Sequence, residues 1–170
     1  MVSKKRQSEI IELIKKEVKP ALGCTEPIAV SLAVASSSEA LVKLGYKPEK
    51  VEVSVSANIL KNGMGVGVPG TGMVGLHIAA ALGVTCGKSE YKLEVLKDLD
   101  SSSIEAAKEM INEKRVSVSL SKTTKKLYIS AKCRANGHTS ETIIEDDHDS
   151  IRKVILDGKV IFELKDGKKN

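Results

Sequence analysis

The stretch "KPALGCTEPIAVSLAVA", residues 19–35, sets a cysteine between a glycine and a helix start. Thr25 suits an N-cap, and Glu26 and Pro27 suit a first helical turn. A thiol at that place meets unsatisfied backbone N–H groups and the positive end of the helix dipole, and both favour its thiolate. Cys24 can therefore serve as a nucleophile or a metal ligand, or simply fill space as a small buried hydrophobe. Cys86 and Cys133 stand far from it and from each other in sequence, so no zinc pattern is present. A serine nucleophile elbow is absent as well.

The second stretch with chemical potential is "NILKNGMGVGVPGTGMVG", Asn58–Gly75, with glycines at 63, 65, 67, 70, 72 and 75. Read as a loop, it brings backbone N–H groups close to an anion at the start of the next helix. Pro69 interrupts its dinucleotide-like spacing and no "GK[ST]" follows, so a phosphate loop does not fit. Two readings remain. The glycines make bulges and close backbone packing, or they bind a small anionic substrate such as an amino-acid carboxylate. In the second reading Gly65, Gly67, Gly70, Thr71 and Gly72 form the cradle, and Asn58, Lys61 and Asn62 add amide and ammonium contacts. His77 falls on an apolar helix, His138 on a hairpin turn beside Thr139, and His148 among acids in "EDDHDS", where it reads as solvated.

The elements that must position these residues follow from periodicity. Ile10, Ile11, Leu13, Ile14 and Val18 predict a helix over 8–19, stopped near Pro20. The second helix runs from Thr25 to a C-cap at Gly45. "VEVSVSA", 51–57, alternates like a strand, "GLHIAAALGV" reads as a short buried helix ending at Gly83, and an amphipathic helix begins near Ser103. From 116 to 164, short alternating runs separated by "NG" and "DG" predict an antiparallel meander. The expected fold is α+β, with helices packed on one side of an antiparallel sheet and a β-meander as the C-terminal third, in a single domain over 1–170.

Composition narrows the function. At 170 residues, 41% hydrophobic and 29% charged, the chain has ordinary globular usage. With no Trp, only Phe162 and three tyrosines, its core must be aliphatic. The net charge of +5 sits largely at the two ends, and the few aromatics do not interleave with basic residues, so nucleic acid is not expected. No apolar run approaches the roughly 20 residues of a membrane span. The odd cysteine count and the charged, amphipathic N-terminal stretch point to a cytoplasmic, reducing location.

The blocks "KPALGCTEPIAVSLA" and "NILKNGMGVGVPGTGMVGLHIAAALG", with the later "GHT", closely resemble the N-terminal part of the L-cysteine desulfidase family, also described as serine-dehydratase-alpha-like. The resemblance implies conversion of L-cysteine to hydrogen sulfide, ammonia and pyruvate without pyridoxal phosphate, using a [4Fe-4S] cluster. The cysteine of the "GCTE" block is a cluster ligand in that family, which carries over to Cys24. Family members are longer, and their other cluster cysteines lie in a C-terminal region, so the resemblance implies a C-terminal half or second subunit as partner. Cys86 and Cys133 match no ligand position, and the three cysteines are not expected to converge. Two functions follow as expectations. One is a small-amino-acid lyase, or its substrate-binding half, with Cys24 facing the glycine-rich loop across a cleft. The other is a non-catalytic module that keeps the small-ligand loop without the cluster.

Overall fold

The computed structural model describes residues 25–68 and 70–164; the expected helix over 8–19 and Cys24 itself lie outside the described residues. Helix α1 (Thr25–Val42) leads to strand β1 (Lys50–Val55), helix α2 (Ala57–Met64), and the two-residue strands β2 (Gly67–Val68) and β3 (Met73–Val74). Helix α3 (Leu76–Thr85), a 3-10 segment (Ser89–Glu94) and helix α4 (Ser101–Asn112) come next. Strands β4 (Val116–Leu120), β5 (Tyr128–Ala135), β6 (His138–Glu145), β7 (Ile151–Leu156) and β8 (Lys159–Glu163) complete the described chain. The fold is α+β. One six-stranded sheet has the order β4-β1-β5-β6-β7-β8, and β2 and β3 pair as a separate small ribbon.

β5 to β8 form the expected antiparallel meander. At its tight turns Asn136 and Gly137 have φ of 49° and 81°, and Asp157 and Gly158 have 50° and 82°. Positive φ at both central positions matches the twist of the flanking strands. The sheet is mixed, however, because β4 does not continue this meander. It pairs in parallel with β1, Val51 opposite Val116 and Val55 opposite Leu120, at the far edge of the sheet. A connection that carries α2, α3 and α4 returns the chain to the end where β1 began, so β4 enters in the same direction.

α1 lies over β5 and β6, and α3 over β1 and β4. α1 is buried nearly all round: Ile28, Leu32, Val34 and Leu41 are inaccessible, and so are Ser31 and Ser37. Each of these serines has a partner, as burial of a hydroxyl requires. Ser31 Oγ donates to Ala79 O at 2.6 Å and Ser37 Oγ to Ala131 O at 2.7 Å, while Ser140 Oγ donates to Ser37 O at 2.6 Å. The helix closes as expected at Gly45, where φ is 92°, with Tyr46 N–H donating to Leu41 O and Gly45 N–H to Val42 O.

Four boundaries differ from the periodicity reading. β1 stops at Val55, because Ser56 is the N-cap position of α2. The expected loop over 58–75 begins as a helix: "ANILKNGM" holds good helix formers, and Gly63 is where Leu76 packs, 2.5 Å from the place a Cβ would take. Gly83 is not a cap but an interior residue of α3, where a Cβ would lie 2.7 Å from Ser31 O and 2.8 Å from Val34 Cβ. α4 begins at Ser101 rather than Ser103, because Asp100 caps it by accepting the Ser103 N–H at 2.8 Å. No helix among the described residues is long and apolar enough to cross a membrane.

Candidate functional site

Ser31 meets Ala79, Val34 meets Gly83 and Ala35 meets Gly87, so the contacts of α1 and α3 advance together and the helices run parallel. Their N-termini therefore point to one end of the molecule. The same end holds the β6–β7 turn, since His148 Nε2 lies 3.6 Å from Glu26 Oε2 in the first turn of α1. It also holds the carboxyl ends of the parallel strands β1 and β4, because Ser56 N–H donates to Tyr128 O, and Asp146 N–H on the β6–β7 turn donates to Leu127 O. α2 starts there, at Ser56. Three helix starts thus gather at the carboxyl end of a parallel strand pair, the place where open α/β sheets bind ligands.

Two of these starts carry no side-chain cap. Ser56 Oγ donates to Lys126 O at 2.9 Å and accepts Tyr128 N–H, so it is turned to the β4–β5 connection and does not cap α2. Gly75, at the N-cap of α3, has no side chain to offer and sits at φ 101°, a conformation glycine reaches readily. The first N–H groups of α2 and α3 therefore keep hydrogen-bonding capacity, and the helix dipoles add positive potential.

The sequence-predicted binding residues divide into two groups. Gly67 and Thr71 belong to the β2–β3 hairpin that runs directly into α3, with Gly70 and Gly72 at positive φ in its turn and Gly65 just before it; all four glycines are exposed. Thr71 is buried, and its hydroxyl is spent inside the turn, donating to Val68 O at 2.6 Å and accepting Met73 N–H at 2.9 Å. Asn58, Lys61 and Asn62 share one exposed face of α2, at the i, i+3 and i+4 positions. No side-chain hydrogen bond ties them to another described residue, so their polar groups are left beside the hairpin.

The histidines and thiols fall differently from their sequence readings. His148 is half-buried against Glu26 rather than solvated, because α1 lies over β6 and the turn after it. No local spacing could reveal this pairing. His138 Nδ1 is 2.6 Å from Asp157 Oδ2 and its ring stacks on Tyr46 at 5.1 Å. That cluster is at the opposite end of β5, roughly 25 Å away at 3.3 Å per residue, and is no part of the helix-start site. Cys133 is fully buried, with its sulfur toward Val34 O, and burial pushes its thiol up to about 12. Cys86 caps the far end of α3 near Ser103, and burial raises its thiol too. Among the described residues no three Cys, His, Asp or Glu side chains are placed to hold a metal ion, so they do not by themselves fit a [4Fe-4S] cluster.

The chain is similar to proteins named "UPF0597 protein", a name that states neither reaction nor ligand. That of Bacteroides thetaiotaomicron is 51% identical over 164 residues, covering 96% of this chain and 37% of the relative. That of Parabacteroides distasonis is 52% identical over 159 residues, 94% and 36% of the two chains. That of Methanocella arvoryzae is 43% identical over 152 residues, 89% and 35% of the two chains. This chain therefore spans little more than a third of the length of the relatives it matches. No family model and no solved structure matches it.

Proposed function

We propose that this chain is the substrate-binding part of a pyridoxal-phosphate-independent lyase that acts on L-cysteine or a similar β-substituted amino acid. The observation that carries the reading is the pair of uncapped helix starts, α2 and α3, beside the exposed glycine hairpin and the first turn of α1. Free N–H groups and aligned dipoles favour a carboxylate, and the flanking ammonium of Lys61 adds attraction from the solvent side. The chain's own part is to bind and orient: the amides hold the α-carboxylate, and the Glu26 carboxylate beside His148 places negative charge near a substrate ammonium.

In this reading Cys24, directly before α1, is one thiolate ligand of a [4Fe-4S] cluster that requires further ligands beyond the described residues. A second reading, an amino-acid-binding module without the cluster, is favoured by the separation of Cys86 and Cys133. Anaerobic purification followed by iron analysis and titration with L-cysteine, L-serine and cysteamine distinguishes the two. The lyase reading expects the amino acids, but not the carboxylate-free amine, to bind, and iron that is lost in Cys24→Ala. Amino-acid binding without iron or sulfide release selects the module. Binding of neither amino acid overturns the carboxylate site.

A further inference from the structure

The outer strand β8 is exposed along its whole length, and Val160, Ile161 and Phe162 are 50%, 54% and 48% accessible. Three consecutive apolar residues on an outer edge are uncommon unless something covers them. Beside Phe162 a groove of about 660 Å³ opens between Ser36 of α1 and Val154 of β7. Ile151, Val154, Phe162 and Leu164 give it apolar lining, and its polar lining is of both signs, with Asp147 and Asp149 beside Lys92 and Arg152. Those two aspartates flank His148, which reaches Glu26 at the helix-start end. The groove therefore borders the β6–β7 turn, which lies at the helix-start end.

We propose that β8 and this groove are the docking surface for the polypeptide unit that makes up the remainder of the relatives, and that the seated unit closes over the helix-start end. The closing clause rests on the functional reading above; the docking surface does not. More than half of each relative lies outside the match, so the complete proteins contain a unit able to cover such a strip. A second copy of this chain fits less well. Val160 and Phe162 oppose consecutive residues of β7, which leaves Ile161 as an extra, bulged residue. A bulge on the outermost strand spoils the regular ladder that edge-to-edge pairing of two copies needs. The partner is instead one that buries the apolar side chains of β8, Val160, Ile161 and Phe162.

Hydrogen exchange on two intact proteins, this chain and the Bacteroides thetaiotaomicron relative, tests the surface. Amides of the strand aligned with Lys159–Glu163 are expected to exchange roughly 100-fold more slowly in the relative, where the outer unit suppresses local opening. In a chimera with this chain in place of the relative's matched segment, Ile161→Lys should lower the melting temperature. The same change in this chain alone should leave it unaltered, and Val42→Lys, an exposed apolar position elsewhere, should be neutral in both. Equal exchange in the two proteins overturns the proposal. So does concentration-dependent protection of this chain alone accompanied by a dimer in sedimentation, which would make a second copy the occupant. Neither readout depends on iron, so a protected strand in a protein whose Cys24→Ala variant keeps its iron would sink the cluster assignment and leave the docking surface standing.

Discussion

Gly83→Ala tests the contact that sets the directions of α1 and α3. The added methyl would lie 2.7 Å from Ser31 O, 2.8 Å from Val34 Cβ and 3.0 Å from Val34 Cγ1. The first of these atoms is backbone at the fully buried Ser31 and has no rotamer by which to retreat. Overpacking of a close-packed interior costs about 1–3 kcal/mol, and rigid neighbours place this site at the upper end. Alanine returns about 1 kcal/mol through its better helix propensity. The balance is a loss of about 2 kcal/mol, or a melting temperature lower by about 4–8 °C for a domain of this size. Urea denaturation of wild type and variant measures it. Gly65→Ala is the control, since a Cβ there meets nothing within 4 Å and φ is −98°. A Gly83→Ala protein as stable as wild type would refute the parallel close packing, and with it the gathering of the helix starts at one end.

Two further outcomes follow from the titratable groups. Asp157 is held below the usual carboxylate value first by its hydrogen bond to His138 and then by the Thr139 N–H. A carboxyl with a lowered native value stabilises the fold above its unfolded value and loses that contribution as pH falls through the native one. Asp157→Asn should therefore flatten the acid side of the stability profile below about pH 4 and leave its shape near neutrality unchanged, as followed by urea midpoints across pH. An unchanged acid limb would contradict the pairing. Cys133, with its thiol pushed up to about 12 by burial, should resist iodoacetamide until the chain unfolds, whereas half-buried Cys86 should label in the native state. Mass spectrometry of native-state labelling decides; alkylation of Cys133 at the rate of a free thiol would exclude its position beneath α1.

Much of the fold was readable because burial here is periodic. The alternation of 128–164 gave the meander, and "NG" and "DG" gave its turns, since few residues accept positive φ at two successive positions. Gly45 was readable for the same reason. β4 was not, because its sequence alternates like its successors and only its pairing differs. The one available hint was negative: "SKTTKKL", between β4 and β5, contains no tight-turn pair. Gly83 misled because a glycine that ends a helix and a glycine that admits a neighbour look alike in one dimension. At the site, the glycine hairpin was legible but the role of Thr71 was not, since its hydroxyl is taken by backbone groups two and three residues away. The meeting of Glu26 with His148 depends on the whole sheet being in place.

That dependence shapes how the chain must be made. α1 is buried on nearly every face, yet the strands it lies on, β5 and β6, are encoded almost a hundred residues later. β1 waits similarly, for β4 on one side and β5 on the other. At about 5–20 residues per second, the ribosome exposes α1 for some 5–20 s before its floor exists. During that interval a helix whose residues are mostly destined for burial and an unpaired strand rich in valine stand in water together. The nascent chain thus presents a defined window for chaperone capture, which opens when Val42 clears the exit tunnel and closes when the β5–β6 hairpin follows it.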